Sequence, residues 1–574
     1  MSASNSTRLA SGSHDSGSGD PLAITILAVA GLIFAFSGLA WLAARAALLL
    51  GGHSPAAPFV KSPSFVVDLV QSHDAATAWR KAYPGAAVLD VSMFWLLFTV
   101  GLLLLSAIGI LALFRWSEQV AGRRSEPATW ATGRQERRIA VPLDPAKRQW
   151  RLVAGRGRAS RRLLAGQDCV SAVAFGPNGS GKTTSLIVPN ALDWDGPVVL
   201  TTAKPQDLEP ICTARAGRGP VWVIAPGGAP GHPSVGWSPL HSVHDDETAD
   251  RMAEWMVDSS GMTGDPKARP WNAQARKYLK GLLLAASLHG GGIDQWVQWV
   301  YSGERARDHV EDILRTAGHE QTAVEYASTW TIHEEGKGSV LFTALGLAEV
   351  YSRPAIRLAT EHGGFTPTQL LDEHGTLCIV TPNAEGDRFA PYFTTLLSAI
   401  IHTAETAAAH QGGPIEPRLL LALDEAGNVF RYPRLPHLLT SARGNGIQLL
   451  LIYHDLAQIE HLHGGREVAR TVVSNAKMRM LLPGVGDLDT LRYWSDLIGQ
   501  TRTQTHGTTT GADGRRSRSR SEHADHLAPL HKLQQLPDGQ AVLLYQNLPP
   551  ARVRLLPWYA DHRYRQLNSE GDRS

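Results

Sequence analysis

Two long apolar stretches open the chain, and a different pattern takes over behind them. Leu22–Ala44 and Met93–Phe114 run without a charged residue. Each is long enough to cross a bilayer as a helix, and neither has the polar face of a helix in a soluble core. The first is longer than a signal-peptide core, and no small-residue cleavage site follows it before Arg45. Phe94 and Trp95 at one end of the second stretch, and Trp116 beyond the other, read as interfacial aromatics. From Val170 the apolar runs become short: 170–175, 198–202, 221–225, 376–381, 419–424, 447–453, 478–482 and 541–545. Helical patterns or turn residues flank most of them, which predicts an α/β fold with a mostly parallel sheet. Residues 246–365 break this rhythm with helical periodicity and no strand-like run, as in Ala249–Val257, Trp271–Leu288 and Ser339–Val350. They are expected to form a separate all-helical domain inserted into the α/β domain of residues 166–245 and 366–560.

The remaining segments are polar. Residues 1–20, rich in Ser, Gly and Asp, predict a disordered tail, and 506–523, with its Thr-Thr-Thr and Arg-Ser repeats, a disordered loop. Residues 116–165 read as a helix-poor basic connector, solvated or lying against anionic lipid, and 561–574 as a tail. The loop 45–92 is rich in Pro, Gly and Ala and predicts modest structure only.

Charge sets the orientation. Arg115, Arg123, Arg124, Arg134, Arg137 and Arg138 follow the second apolar stretch, whereas basic residues in 45–92 are few and spread out. With spans at 22–44 and 93–114, this bias places both termini in the cytoplasm and the loop 45–92 outside it. The net charge of +2 gives no global basic field, so any nucleic-acid contact must be local. Cys169, Cys212 and Cys378 are far apart, which excludes a cysteine-rich zinc site or a disulfide framework and suits a reducing compartment. His523, His526 and His531 fall in a polar region and read as solvated.

Chemistry concentrates in two motifs. Val170–Phe175 breaks into Gly176, Pro177, Asn178, Gly179, Ser180, Gly181, Lys182, Thr183 and Thr184. This matches G-x-x-x-x-G-K-[ST]. The glycines let successive N–H groups turn inward as an anion nest at a helix N-terminus. Lys182 is placed to reach the β/γ-phosphates of ATP, and the Thr183 hydroxyl to sit on Mg²⁺. In Leu419–Glu425, five apolar residues deliver two carboxylates to the C-terminal edge of a buried strand, where sheet ligands bind. Asp424 is the candidate Mg²⁺ partner, and Glu425 the candidate general base. The Leu-Ser-Gly-Gly-Gln signature of ABC transporters is absent.

These motifs, with several others, resemble the type IV secretion coupling proteins (TraG/TraD-like conjugative ATPases) and, more distantly, the FtsK-like DNA pumps. Val188-Pro-Asn190, Trp237-Ser-Pro-Leu240, Trp271–Arg276, Leu423–Asn428, Ser441–Ile447, Asn475, Gly486-Asp487 and Gly499 carry the resemblance. The resemblance implies a RecA-like P-loop NTPase with an inserted all-helical domain and two N-terminal transmembrane helices. It also implies a homo-hexamer in the inner or plasma membrane that passes DNA, relaxase-bound DNA or secreted protein to a type IV secretion channel. By position, Arg443 resembles the family's arginine finger, acting on a neighbouring subunit's nucleotide. Two departures stand out. Thr202–Glu209 replaces Asp-Pro-Lys-Gly-Glu, which keeps Lys204 but puts the acidic contribution of that strand end in doubt. His454 stands where relatives carry a γ-phosphate-sensing glutamine. Two alternatives stay open: an FtsK-like double-stranded DNA translocase and a catalytically silent membrane docking platform.

Overall fold

The computed structural model describes residues 21–53, 58–121, 127–261, 269–361, 363–381, 386–510 and 516–564. The expected tail of residues 1–20 lies outside them. The chain forms two compact units, residues 1–126 and 127–574.

The first unit is built on two long helices, Pro21–Leu50 and Val91–Ala121. Among the described residues Val91–Leu111 is long and apolar enough to cross a membrane, and Phe34–Leu50 is a shorter apolar stretch. Gly101 lets the helices approach: a Cβ there would lie 2.5 Å from Leu39 Cδ1. The segment between them is more ordered than its composition suggested. It folds into helices Ser62–Ser72 and Ala75–Ala82, the second capped by Asp74, whose carboxylate accepts from Ala76 N and Thr77 N. Phe65 and Trp79 are fully buried and pack edge-on at 5.3 Å, with Phe94 at 5.9 Å from Phe65. Aromatic burial of this kind outweighs the low propensity of a Pro- and Gly-containing loop.

In the second unit a sheet of twelve strands carries the site. The strands are β1 (Ala140–Val141), β2 (Val153–Gly157), β3 (Leu163–Ala165), β4 (Ala172–Phe175), β5 (Val198–Thr202), β6 (Val221–Ile224) and β7 (Thr376–Val380). They continue with β8 (Leu419–Leu423), β9 (Ile447–Tyr453), β10 (Met478–Leu481), β11 (Gln500–Thr510), β12 (Arg516–His526), β13 (Gln540–Tyr545) and β14 (Ala551–Arg554). The order across the sheet is β1-β3-β2-β14-β13-β10-β4-β9-β8-β5-β7-β6. From β10 to β6 every pairing is parallel; from β10 outward through β13 to β1 every pairing is antiparallel. The sheet is therefore mixed, with a parallel centre buried on both faces. Strands such as Leu419–Leu423 and Ile447–Tyr453 are buried at every position, so their sequences are continuous apolar runs and do not alternate.

Three expectations change. Residues 127–165 are no free connector: β1, β2 and β3 extend the sheet, and Asn190 exchanges two hydrogen bonds with Val153, tying β2 to the helix behind the glycine-rich turn. The helical stretch from Asp246 to Asp372 shares one hydrophobic core with the sheet, Met252, Leu282 and Tyr351 joining Leu421 and Leu451, so it is no separate body. Residues 506–510 and 516–523, expected to be disordered, lie in β11 and β12, which pair antiparallel from Gln500↔His526 to Thr510↔Arg516 as a ribbon apart from the main sheet. Alternation of Thr with Ser and Arg suits a two-sided polar ladder that composition alone does not distinguish from a coil. The first residues of the expected C-terminal tail are docked, Arg563 Nη1 donating to Asp193 Oδ1 at 2.9 Å.

Candidate nucleotide-binding site

The strand order places the two chemical motifs side by side. β4 ends at Phe175 and β8 at Leu423, with β9 alone between them, and all three point the same way. Their C-terminal ends form one edge. The turn after β4 is glycine-rich for a geometric reason. Gly179 and Gly181 have φ of 85° and 83°, and a Cβ on Gly176 would lie 2.5 Å from Ser180 Oγ. Gly176 N donates to Tyr453 O at 3.0 Å, fastening the turn to the end of β9. A helix follows from Thr183 through Asp193, its first turn wound as a π-helix.

Lys182, Asp424 and Glu425 are all buried. Lys182 Nζ lies 3.4 Å from Glu425 Oε1 and 3.8 Å from Asp424 Oδ1. Thr183 Oγ1 donates to Asp424 Oδ2. Burial raises the Asp424 carboxyl above its ordinary range, and Lys182 and the Thr183 hydroxyl pull it back. Glu425 sits in left-handed backbone at φ 49°, a conformation that costs a non-glycine residue about 1–3 kcal/mol and is held only where neighbours enforce it. Those neighbours are visible. Asp424 Oδ1 accepts from Glu425 N at 3.0 Å, Thr201 Oγ1 donates to Asp424 O at 2.7 Å, and Asn428 Nδ2 donates to Glu425 Oε2 at 3.1 Å.

A cavity of about 290 Å³ opens over these groups, lined by Asn178, Gly179, Gly181, Lys182, Thr183, Thr184, Lys204, Asp207, Asp424 and Glu425 among others. Pro177 and Ser180 complete the turn, and Ser180 Oγ is buried with no hydrogen-bond partner among the described residues. An unpartnered hydroxyl, inward-turned backbone and a buried lysine fit an anionic phosphate chain. A threonine hydroxyl against a buried carboxylate is an oxygen-only pair of the kind that suits Mg²⁺.

Sequence reading missed some of the wall. Asp207 stands in the turn after β5 and accepts from Thr202 Oγ1 at 3.2 Å; burial raises its carboxyl. An acid therefore faces the cavity from this strand end after all, five residues beyond Thr202 and out of the family's spacing. Gln458 was also missed. Its Oε1 accepts from His454 N at 2.9 Å, and its Nε2 reaches Asn428 Oδ1 at 3.5 Å. Gly427 leaves it room, since a Cβ there would lie 2.4 Å from Gln458 Nε2. His454 itself follows β9, with Nε2 3.9 Å from Glu425 Oε1. Burial, then the charge of Lys182, lowers its pKa from the ordinary value, so the ring is neutral near pH 7.

Arg443 is the one predicted site residue that the fold keeps away. It lies near the end of the helix Leu435–Asn445, which leads back to the start of β9. β9 has seven residues and spans roughly 20 Å. Arg443 thus sits at the opposite edge of the sheet, exposed, with its charge felt at Cys169 and Tyr545. No arginine side chain extends that far, so Arg443 does not reach the cavity of its own chain.

The sequence profile of the family described as Type IV secretory system Conjugative DNA transfer matches residues 144–572. A Conjugal transfer protein TraG of Agrobacterium fabrum is 22% identical over 399 residues, covering 67% of this chain and 60% of that protein. A Conjugal transfer protein TraG of Escherichia coli is 26% identical over 371 residues, covering 60% and 57%. The chain therefore matches less than two thirds of either relative's length. Among solved structures, the bacterial conjugative coupling protein TrwBdeltaN70 in its unbound monoclinic form superposes with a TM-score of 0.56 at 17% identity, covering 75% of this chain and 92% of that one. The plasmid coupling protein TrwB in complex with ADP and Mg²⁺ gives 0.54 at 18%, covering 75% and 94%. These structural likenesses are of fold, that of a P-loop NTPase.

Proposed function

The chain belongs to the type IV secretory system conjugative DNA transfer family, and from that premise we propose that it is a membrane-anchored ATPase coupling protein. It recruits DNA or a DNA–protein substrate and drives it into a type IV secretion channel as a homo-hexamer. One observation carries the enzymatic reading: Lys182, Thr183, Asp424 and Glu425 converge on a single cavity at the C-terminal edge of the sheet. Lys182 leaves its two carboxylates for the β/γ-phosphates when ATP enters. Thr183 and Asp424 hold Mg²⁺, which neutralises charge on the phosphate oxygens. Glu425, oriented by Asn428, takes the proton of the attacking water.

The test is ATP turnover by the detergent-purified full chain, with and without DNA. Lys182→Ala removes the cation that meets the phosphates, so nucleotide binding is expected to weaken and turnover to vanish. Turnover equal to that of the unaltered chain would place the active site elsewhere.

The membrane arrangement follows from the two apolar helices and the arginine bias. We propose that both long helices span the membrane, with the Ser62–Ala82 helices outside the cytoplasm and the nucleotide-binding unit within it. Ser64 and Gln411 are exposed on the two units. In intact cells a cysteine at Ser64 should react with an impermeant maleimide, and one at Gln411 only after permeabilisation. Labelling of the Gln411 site from outside would reverse the topology.

A further inference from the structure

Six arginines crowd one corner of the antiparallel extension. Arg156 and Arg554 are direct cross-strand partners of β2 and β14, an arrangement of like charges that weakens a ladder. Arg158, Arg161 and Arg162 occupy the turn that follows β2, and Arg552 lies beside them, its backbone O accepting from Arg158 N at 2.9 Å. Among the described residues none of the six is in an ion pair. The corner contains a cavity of about 670 Å³ walled by Arg156, Arg158, Arg161 and Arg554, and its single carboxylate, Asp538, pairs with none of them.

The turn is built to hold this arrangement. The buried carboxylate of Glu136 accepts from Ala159 N at 3.3 Å and from Ser160 N at 2.5 Å. Gly157 makes the space, because a Cβ there would lie 2.4 Å from Glu136 Oε2. The acid is thus spent on backbone and leaves the guanidinium groups uncompensated. Arg552 stacks on Trp130 at 4.1 Å, and burial together with the charge of Arg158 disfavours its charged form. A fold that keeps uncompensated like charges around a cavity is stabilised by an anion from outside.

The position says which anion. Ala131 N donates to Pro550 O, at the start of β14, and Ala128 N to Gln500 O, each at 2.8 Å. The apolar helix ends at Ala121, and seven residues of chain from there to Ala128 reach at most about 25 Å. The arginine corner is therefore tethered close to where the chain leaves the bilayer. We propose that this corner binds the headgroups of anionic phospholipids at the cytoplasmic membrane surface, a reading that rests on the membrane anchor proposed above.

Native mass spectrometry of the detergent-purified full chain, exchanged against an equal mixture of phosphatidylglycerol and phosphatidylcholine, tests it. The unaltered chain is expected to retain phosphatidylglycerol preferentially. Arg158→Gln/Arg162→Gln/Arg554→Gln should lose about tenfold or more of that preference, since each basic residue at a charged surface contributes several-fold. The corresponding triple lysine variant, which keeps the charge, should retain most of it. Arg161 is left alone because it occupies left-handed backbone at φ 57°. Binding of a fluorescent ATP analogue should be unchanged in both variants, which separates lost lipid binding from lost folding. Equal retention of the two lipids, or an unchanged preference in the glutamine variant, overturns the proposal. Displacement of the lipid by inorganic phosphate or by a single-stranded oligonucleotide at equal phosphate concentration also overturns it, in favour of a free anion or a nucleic-acid backbone. Carbonate extraction of cell membranes keeps the two readings apart. Release of the chain refutes the anchor and this site with it, whereas a retained chain without lipid preference refutes the site alone.

Discussion

Glu425→Gln is expected to lower ATP turnover by about 10²–10⁴-fold, the usual contribution of a positioned general base, while ATP stays bound. The reason lies in what the carboxylate touches. Lys182 Nζ is 3.4 Å from Glu425 Oε1 and 3.8 Å from Asp424 Oδ1. An amide at 425 removes one of the two anions competing with the phosphates for that lysine, so ATP affinity should hold or rise. The amide oxygen can still accept from Asn428, so the backbone strain at φ 49° keeps its support. What is lost is the proton acceptor. Filter binding of radiolabelled ATP beside a phosphate-release assay separates the two quantities. Unchanged turnover would remove Glu425 from the chemistry. Lost binding would mean that its role is to shape the site. His454 does not substitute as the base at 3.9 Å: its lowered pKa keeps the ring neutral at pH 7, but it also makes the ring a weaker proton acceptor than an ordinary histidine.

Arg443→Ala should lower turnover by about 10³–10⁵-fold, the range for an arginine that stabilises charge developing at the γ-phosphate, and it should do so without weakening ATP binding. The fold restricts how such an effect can arise. Arg443 lies roughly 20 Å along β9 from its own cavity, exposed at the far edge of the sheet. It can act on nucleotide only in a neighbouring subunit. A mixing experiment reads this directly. Lys182→Ala subunits keep Arg443, and Arg443→Ala subunits keep the P-loop, so some interfaces in a mixed ring regain both. Partial recovery of activity is the expected result. Absence of recovery, in rings shown by energy transfer between labelled subunits to have exchanged, would leave Arg443 as an ordinary surface residue. The helix that carries it ends at Gly446, in left-handed backbone at φ 80°, where a Cβ would lie 2.8 Å from Ile415 N. The Arg-Gly-Asn-Gly sequence is thus explained in part by the turn it must make, independently of any role for the arginine.

The sequence by itself determined what is set by neighbours in the chain. The glycine-rich turn was legible because its left-handed residues and its lysine lie within nine positions. The apolar helices and the buried strands were legible because periodicity is a local property. The acidic pair was legible because a wholly apolar strand ending in two acids has few other uses. The tertiary structure decided everything that depends on strand order. β9 runs between β4 and β8, and only that arrangement brings His454, Gln458 and Asn428 into one hydrogen-bonded group beside Glu425. Asp207 faces the cavity because a turn after β5 swings it there, which spacing along the chain did not reveal. The polar segments 45–92, 127–165 and 506–523 read as loosely structured for a common reason. Their order comes from partners far away in sequence: Phe65 against Phe94, Val153 against Asn190, and Gln500 against His526. A local reading sees the entropy that such segments lose on folding, and only the tertiary structure supplies the contacts that offset it.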